Sequence, residues 1–145
     1  MTTVLAIDQG TSATKAVVAD ESGPLVDVDV PVTGTTYDDP RVEQDPLALL
    51  DSVMAAGRAA LSRSPVIPAA IGLGNQGETV RARSRRTGEP LVPALSGHDR
   101  RAYTITEAMD PDTADALLTL TGLPLDPYFA APKMAWLRRE LGDAI

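Results

Sequence analysis

The 145-residue sequence contains no cysteine, which excludes a disulfide framework, a thiol nucleophile and a thiolate metal site. Its single histidine, His98, cannot build a multi-histidine metal cluster and reads as a loop residue rather than a catalytic base. Cations are scarce. Thirteen Lys and Arg against 20 Asp and Glu give a net charge of −7 and a pI near 4.6, so there is no surplus of positive charge to displace counterions from nucleic-acid phosphates. The one dense basic run, Arg81, Arg83, Arg85 and Arg86, alternates along a predicted strand edge and reads as a solvated face. No apolar run approaches the ~20 residues of a membrane span, and the N-terminus enters a strand without a basic leader. Repeats and low-complexity tracts are also missing. The expectation is a soluble, cytoplasmic domain of ordinary size, large enough to bury a core, with neither nucleic acid nor membrane as partner.

What is present starts at the N-terminus. The apolar run Val4-Leu5-Ala6-Ile7 leads into Asp8-Gln9-Gly10-Thr11-Ser12, and a second β-like run, Ala16-Val17-Val18-Ala19, follows four residues later. This spacing predicts a tight hairpin. Its turn has the residue types of a phosphate loop: Asp8 could hold Mg²⁺ through water, and Gly10 would let backbone N–H groups approach an anion. Thr11 and Ser12 add hydroxyls, and Lys15, one of only two lysines, adds compensating charge. A plainer reading stands beside this one: Asp8 and Gly10 satisfy a hairpin turn, with hydroxyls capping the backbone.

Residues 3–7, 14–19 and 24–32 predict three strands in an antiparallel meander. Residues 33–44 lack periodicity and read as a loop. Asp45-Pro46 reads as an N-cap with proline at the first helical position, opening a helix to about Arg63 whose core face is Leu47, Leu50, Val53, Met54, Gly57 and Leu61. Ile67 to Leu73 suits a buried strand parallel to the first, reached by that helical crossover. It ends in Gly74-Asn75-Gln76-Gly77-Glu78, where ligands of open α/β sheets usually bind. Thr79–Arg85 and Leu91–Leu95 flank a second hairpin, and helices are predicted at about 99–109, 112–120 and 132–141. The second of these is capped by Asp110-Pro111 and stopped by Gly122, while the last presents Met134, Leu137 and Leu141 on one side. The chain closes on apolar Ile145 without a polar tail, as though cut.

Five segments in order carry a resemblance: Asp8–Ser12; Val42-Glu43-Gln44-Asp45-Pro46; Gly72–Thr79; His98-Asp99-Arg100-Arg101; and Thr121 to Phe129 followed by Lys133 and Trp136. Together they resemble the N-terminal part of the FGGY carbohydrate kinases, and within that family the glycerol kinases most closely. The resemblance covers nearly the whole chain and favours the phosphate-loop reading of the first turn. It implies a two-domain kinase with an actin-like, ribonuclease H-like α/β core in each half, ATP and Mg²⁺ between the halves, and a polyol or sugar hydroxyl as phosphoryl acceptor. Residues 1–145 would then be the substrate-side, N-terminal part of the first domain, and that domain would be incomplete. Carried over by position, Asp8 is the Mg²⁺-associated carboxylate, Gly10, Thr11, Ser12 and Lys15 belong to the phosphate site, and Gln76, Glu78, Asp99 and Tyr128 belong to the substrate site. Lys15 stands where glycerol kinases usually carry arginine, keeping the charge without the planar fork. Glu78 could instead merely cap a turn, and Tyr128 could be ordinary core.

Two departures bear on the substrate. Gly77 stands where the glycerol kinase pattern has arginine, and Gly97 where it has tryptophan. Both changes are expected to widen and depolarise the pocket, which points to a larger polyol or a sugar. In this family the general base is an aspartate further downstream and the adenine site lies in the second domain, so 145 residues alone are expected to be inactive. The alternatives are a non-catalytic binding or regulatory module derived from such a kinase, and a different actin-like ATPase, which the segments Asn75–Thr79 and Pro127–Phe129 disfavour. Unpartnered apolar faces in the last helices leave room for association of copies.

Overall fold

Alternation of apolar and polar residues carries the chain straight into a β-meander, seen in a computed structural model that describes residues 1–144, the side chain of Asp143 apart. The strands are β1 (Val4–Gln9), β2 (Ala13–Asp20), β3 (Gly23–Pro31), β4 (Thr35–Asp38), β5 (Arg41–Gln44), β6 (Ala70–Asn75) and β7 (Ala94–Leu95). The helices are α1 (Pro46–Arg63), α2 (Tyr103–Thr106), α3 (Pro111–Thr121) and α4 (Ala130–Leu141). Ile145 lies outside the described residues. The chain forms two units, one from Met1–Thr35 with Asp45–Gln76, the other from Thr36–Gln44 with the residues from Gly77 onward.

The first unit is a four-stranded sheet in the order β3-β2-β1-β6, backed by α1. β1 and β2 pair antiparallel, β2 and β3 likewise with a register shift at Val18/Ala19, and β6 runs parallel to β1. This is the predicted meander extended by a parallel strand, and the expected α/β class holds. Leu5 and Ile7 of β1, Ala16 and Val18 of β2 and Val28 of β3 point to one face and form the core with Ala56 and Ala60 of α1. Asp45 caps α1 by accepting from the Leu47 N–H at 2.8 Å, with Pro46 at the first helical position.

Two expectations for this unit are corrected. The face of α1 that meets the sheet is the small-residue face, Ser52, Ala56, Gly57 and Ala60, whereas Leu47, Leu50, Met54 and Leu61 are exposed. Branched chains already fill the sheet's inner surface, so the helix can settle only where its own side chains are short. A Cβ placed on Gly57 would lie 3.3 Å from Ile7 Cδ1. Gly57 and Val53 alone of the predicted core face turn inward. The second correction concerns β6, which is parallel to β1 as expected but exposed throughout, with Ile71 68% and Leu73 66% accessible. It is the edge strand, and α1 lies over β1, β2 and β3 instead.

In the second unit the stretch read as a loop is a hairpin. β4 and β5 form a three-stranded sheet with β7, in which Glu43 pairs with Leu95 and Gln44 with Ala94. Polar composition hid these strands, and β7 lies about fifty residues away in sequence, so no local period announces the pairing. The second predicted hairpin forms only as isolated pairs, Val80 with Leu95 and Arg83 with Pro90. Pro90 and Pro93 lack the N–H that a continuous ladder needs. Arg81, Arg83, Arg85 and Arg86 are exposed on it, as a solvated face requires.

The helix predicted over 99–109 shrinks to the single turn of α2, while α3 starts at its Asp110 cap and stops at left-handed Gly122. Val80, Leu95 and Leu137 are the core of this unit, packed with Ala82, Val92, Ala130, Trp136 and Leu141. Of the predicted apolar side of α4, Leu137 is buried and Met134 is exposed.

Candidate functional site

In the first unit, the β1–β2 turn is closed by the Gly10 N–H donating to the Ala13 carbonyl at 3.0 Å. A Cβ on Gly10 would stand 2.9 Å from that same oxygen, so a side chain there would force the turn open. Asp8 ends up exposed on the face of the sheet away from α1, with Lys15 directly opposite it on β2 and Asp29 opposite Lys15 on β3. Gly74 is the β6 partner of Asp8, and a Cβ there would lie 3.8 Å from Asp8 Oδ1. The carboxylate therefore has open space on that side. Ser12 is exposed at the same turn.

Gln76 belongs to this turn. Its N–H donates to the Gln9 carbonyl at 3.1 Å, its Nε2 to Gln9 Oε1 at 3.3 Å, and its Oε1 accepts from Thr11 Oγ1 at 3.2 Å. The structure thus assembles Asp8, Gly10, Thr11, Ser12, Lys15 and Gln76 within one unit. Among the described residues there is no group of three or more His, Asp or Glu that could hold a metal ion by itself. One exposed carboxylate beside a lysine and backbone amides suits Mg²⁺ that takes its other ligands from nucleotide phosphates and water.

The second unit gathers Glu78, Gly97, Asp99, Tyr128 and Lys133. α4 begins at Ala130 after Phe129, which supplies no side-chain cap. The Glu78 carboxylate takes that place, Oε2 accepting from the Ala130 N–H at 2.5 Å, where the helix macrodipole favours negative charge. One turn further on, Lys133 is fully buried, and its ammonium donates to the Glu78 carbonyl at 2.9 Å and to the Tyr128 carbonyl. The same Nζ lies 5.4 Å from the Tyr128 ring centroid, within cation–π range. Burial holds the Lys133 pKa below its usual value, against the opposing pull of Glu78, Asp99 and Asp126. The Tyr128 ring packs edge-on to Phe129 and rests on Gly97, where a Cβ would meet Cε2 at 3.1 Å. The widening expected at Gly97 is therefore partly undone by the tyrosine. Gly77, by contrast, has nothing within 4 Å of the place a side chain would start.

Asp99 is fully buried and already engaged. Oδ2 accepts from the Val42 N–H at 3.0 Å and from Arg101 Nη2 at 2.7 Å, and Oδ1 accepts from the Arg101 N–H at 3.1 Å. Arg101 also meets Glu43 at 2.7 Å and stacks over Trp136 at 4.7 Å. Burial works against its charge, yet Asp99 and Glu43 more than compensate and hold its pKa above the usual arginine value. Asp99 thus ties the loop after β7 to β5 and offers no free oxygen to a ligand. Sequence reasoning placed Lys133 in the final segment without giving it a role. The available signal was a lysine between Pro132 and Met134, turned to the side of the helix that Leu137 buries.

Comparison with known proteins gives a consistent picture. The model of the FGGY family of carbohydrate kinases, N-terminal domain, matches residues 3–144. A glycerol kinase from Cereibacter sphaeroides (strain ATCC 17029) is 42% identical over 141 residues, covering 94% of this chain and 29% of that protein. Among solved structures, Plasmodium falciparum glycerol kinase with ADP superposes with a TM-score of 0.82 at 27% identity, over 99% of this chain and 30% of the other. A xyloylose kinase from Brucella ovis gives 0.84 at 27% identity, over 97% and 30%. The chain spans about three-tenths of the length of the relatives it matches.

Proposed function

Because the chain belongs to the FGGY family of carbohydrate kinases, we propose that it supplies the N-terminal, substrate-side part of an ATP-dependent kinase that phosphorylates a hydroxyl of a polyol or sugar. The observation that carries this reading is the Glu78–Tyr128–Lys133 cluster: an acceptor and an aromatic ring fixed side by side on a rigid helix start. Glu78, with one oxygen given to Ala130, would accept from a substrate hydroxyl with the other. Tyr128, 45% exposed, would present ring and hydroxyl to the carbon chain. Asp99 would act through Arg101 and Val42 by holding the loop that carries Gly97. In the first unit, Asp8, Gly10, Thr11, Ser12 and Lys15 would receive the phosphate end of ATP, Asp8 through Mg²⁺, and Gln76 would brace their turn. Mg²⁺, when bound with the nucleotide, supplies charge neutralisation on the transferring phosphoryl group.

Open space at Gly77 and the ring against Gly97 favour an acceptor longer than glycerol that extends toward residue 77. The same two glycines favour the second reading, a binding module that no longer transfers phosphate. Nuclear magnetic resonance on the isotope-labelled chain tests the acceptor pocket that both readings share, with glycerol, xylitol and D-xylulose each added to about 100 mM, enough to reveal binding with Kd in the millimolar range. Specific, saturating shifts at Glu78, Tyr128 and Ala130 are expected with at least one ligand. Shifts that are absent or spread evenly over the surface overturn the reading. For the 145 residues alone, turnover of ATP with any of the three is expected to be undetectable, since positioning of both reactants is the main source of rate in phosphoryl transfer.

A further inference from the structure

We propose that Lys133 is the positioning residue of the substrate pocket: by bonding the Glu78 and Tyr128 carbonyls it holds the Tyr128 ring over Gly97, so that Tyr128 supplies the pocket wall that residue 97 leaves open. This rests on the polyol or sugar pocket proposed above. A lysine with no exposure is unusual unless its charge is paired, and Lys133 makes no ion pair among the described residues. Both of its assigned partners are main-chain oxygens. They belong to the two residues whose side chains face the acceptor, fifty positions apart in sequence. A hydrophobic residue would fill the same volume at less desolvation cost, which leaves geometry as what the ammonium contributes.

The ammonium sits beneath the ring at 5.4 Å, and Gly97 abuts the ring's edge, with 3.1 Å to Cε2 from the position of a Cβ. The ring is thereby held between a cation on one side and bare backbone on another. Loss of the ammonium frees both carbonyls and the ring together. Glu78 Oε2 would then lose the fixed helix start on which it depends.

The test compares three variants of the labelled chain: Lys133→Met, which keeps the stem and removes the donors; Lys133→Gln, which keeps two N–H donors without charge; and Leu137→Ala, which loosens the same core without touching the ammonium. Two readouts are taken: saturating shifts of Tyr128 and Ala130 with xylitol or D-xylulose, and amide exchange at Ala130 without ligand. The expected result is that Lys133→Met loses the ligand shifts and exchanges at Ala130 about tenfold faster or more. Leu137→Ala also exchanges faster, because Ala130 packs on that core, yet keeps the ligand shifts, and Lys133→Gln falls between parent and Lys133→Met. Unchanged ligand shifts in Lys133→Met overturn the proposal. If the parent itself shows no ligand shift, the pocket reading falls, and the exchange readout judges the clamp alone: equal rates at Ala130 in Lys133→Met and parent overturn it. Collapse of second-unit signals in both lysine variants assigns Lys133 to stability only, and that also overturns it.

Discussion

At the scale of single residues, Gly77 and Gly97, the two glycines read from the sequence as departures from the glycerol kinase pattern, sit in different surroundings. Neither has a positive φ, so neither is needed for backbone reasons. Gly77→Arg enters open space and should change unfolding free energy by no more than about 0.5 kcal/mol, checked by urea denaturation. Gly97→Trp must push the Tyr128 ring aside, and overpacking of this kind costs roughly 1–3 kcal/mol; a stability equal to the parent's would show that the ring moves freely. Asp99→Asn strips the charge from a fully buried carboxylate and leaves Arg101, among the described residues, with Glu43 as its one ion-pair partner. A loss of about 1–3 kcal/mol is expected, since Glu43 still compensates the guanidinium, visible as a lower urea midpoint for the second unit. Lys133 sets a pH dependence. Its folded pKa lies below the usual 10.5, so between those two values the unfolded chain binds more protons, and stability rises with pH across that window. Urea midpoints from neutral pH to about 10.5 should show this rise in the parent and not in Lys133→Met.

At the scale of elements, α1 shows what pattern reading can and cannot give. Its length, its Asp45 cap and its end at Ser64 are written in local chemistry and were legible. Which face goes inward depends on the sheet it meets, which is why Leu50 and Met54 mislead. Leu50→Gln should shift stability by at most about 0.5 kcal/mol, whereas Ala56→Leu, on the buried face, should cost roughly 1–3 kcal/mol; the reverse ranking in thermal melts would restore the leucine face. β4, β5 and the Lys133 clamp were illegible for one shared reason: their partners are remote in sequence. By contrast, the turn at Gly10 and the stop at Gly122 needed only their neighbours. α3 contains no buried residue, and its amides should exchange faster than those of β2. Its Asp110 cap, whose pKa is lowered by accepting from Thr113, stabilises the helix above pH 3.8 and loses that contribution as the pH falls through the lowered value. Helical circular dichroism of the parent and Asp110→Ala should converge under strong acid.

At the scale of the whole molecule, the path of the chain through its two units matters more than their sizes. Neither unit is a continuous stretch of sequence: residues 36–44, which belong to the second, interrupt the first. Every strand of the sheet β3-β2-β1-β6, and the helix that backs it, is complete once Asn75 has been made. β5 must wait for Ala94 and Leu95 before it has a partner on that side. Synthesis from the N-terminus therefore imposes an order: the first unit can assemble while the stretch 36–44 is still an open loop, and the second unit closes only later, around a strand made long before. A stalled nascent chain in which Gln76 has just cleared the exit tunnel should already display a protease-resistant meander cut only between Thr35 and Asp45. Protection of that interval should begin only after Leu95 has left the exit tunnel.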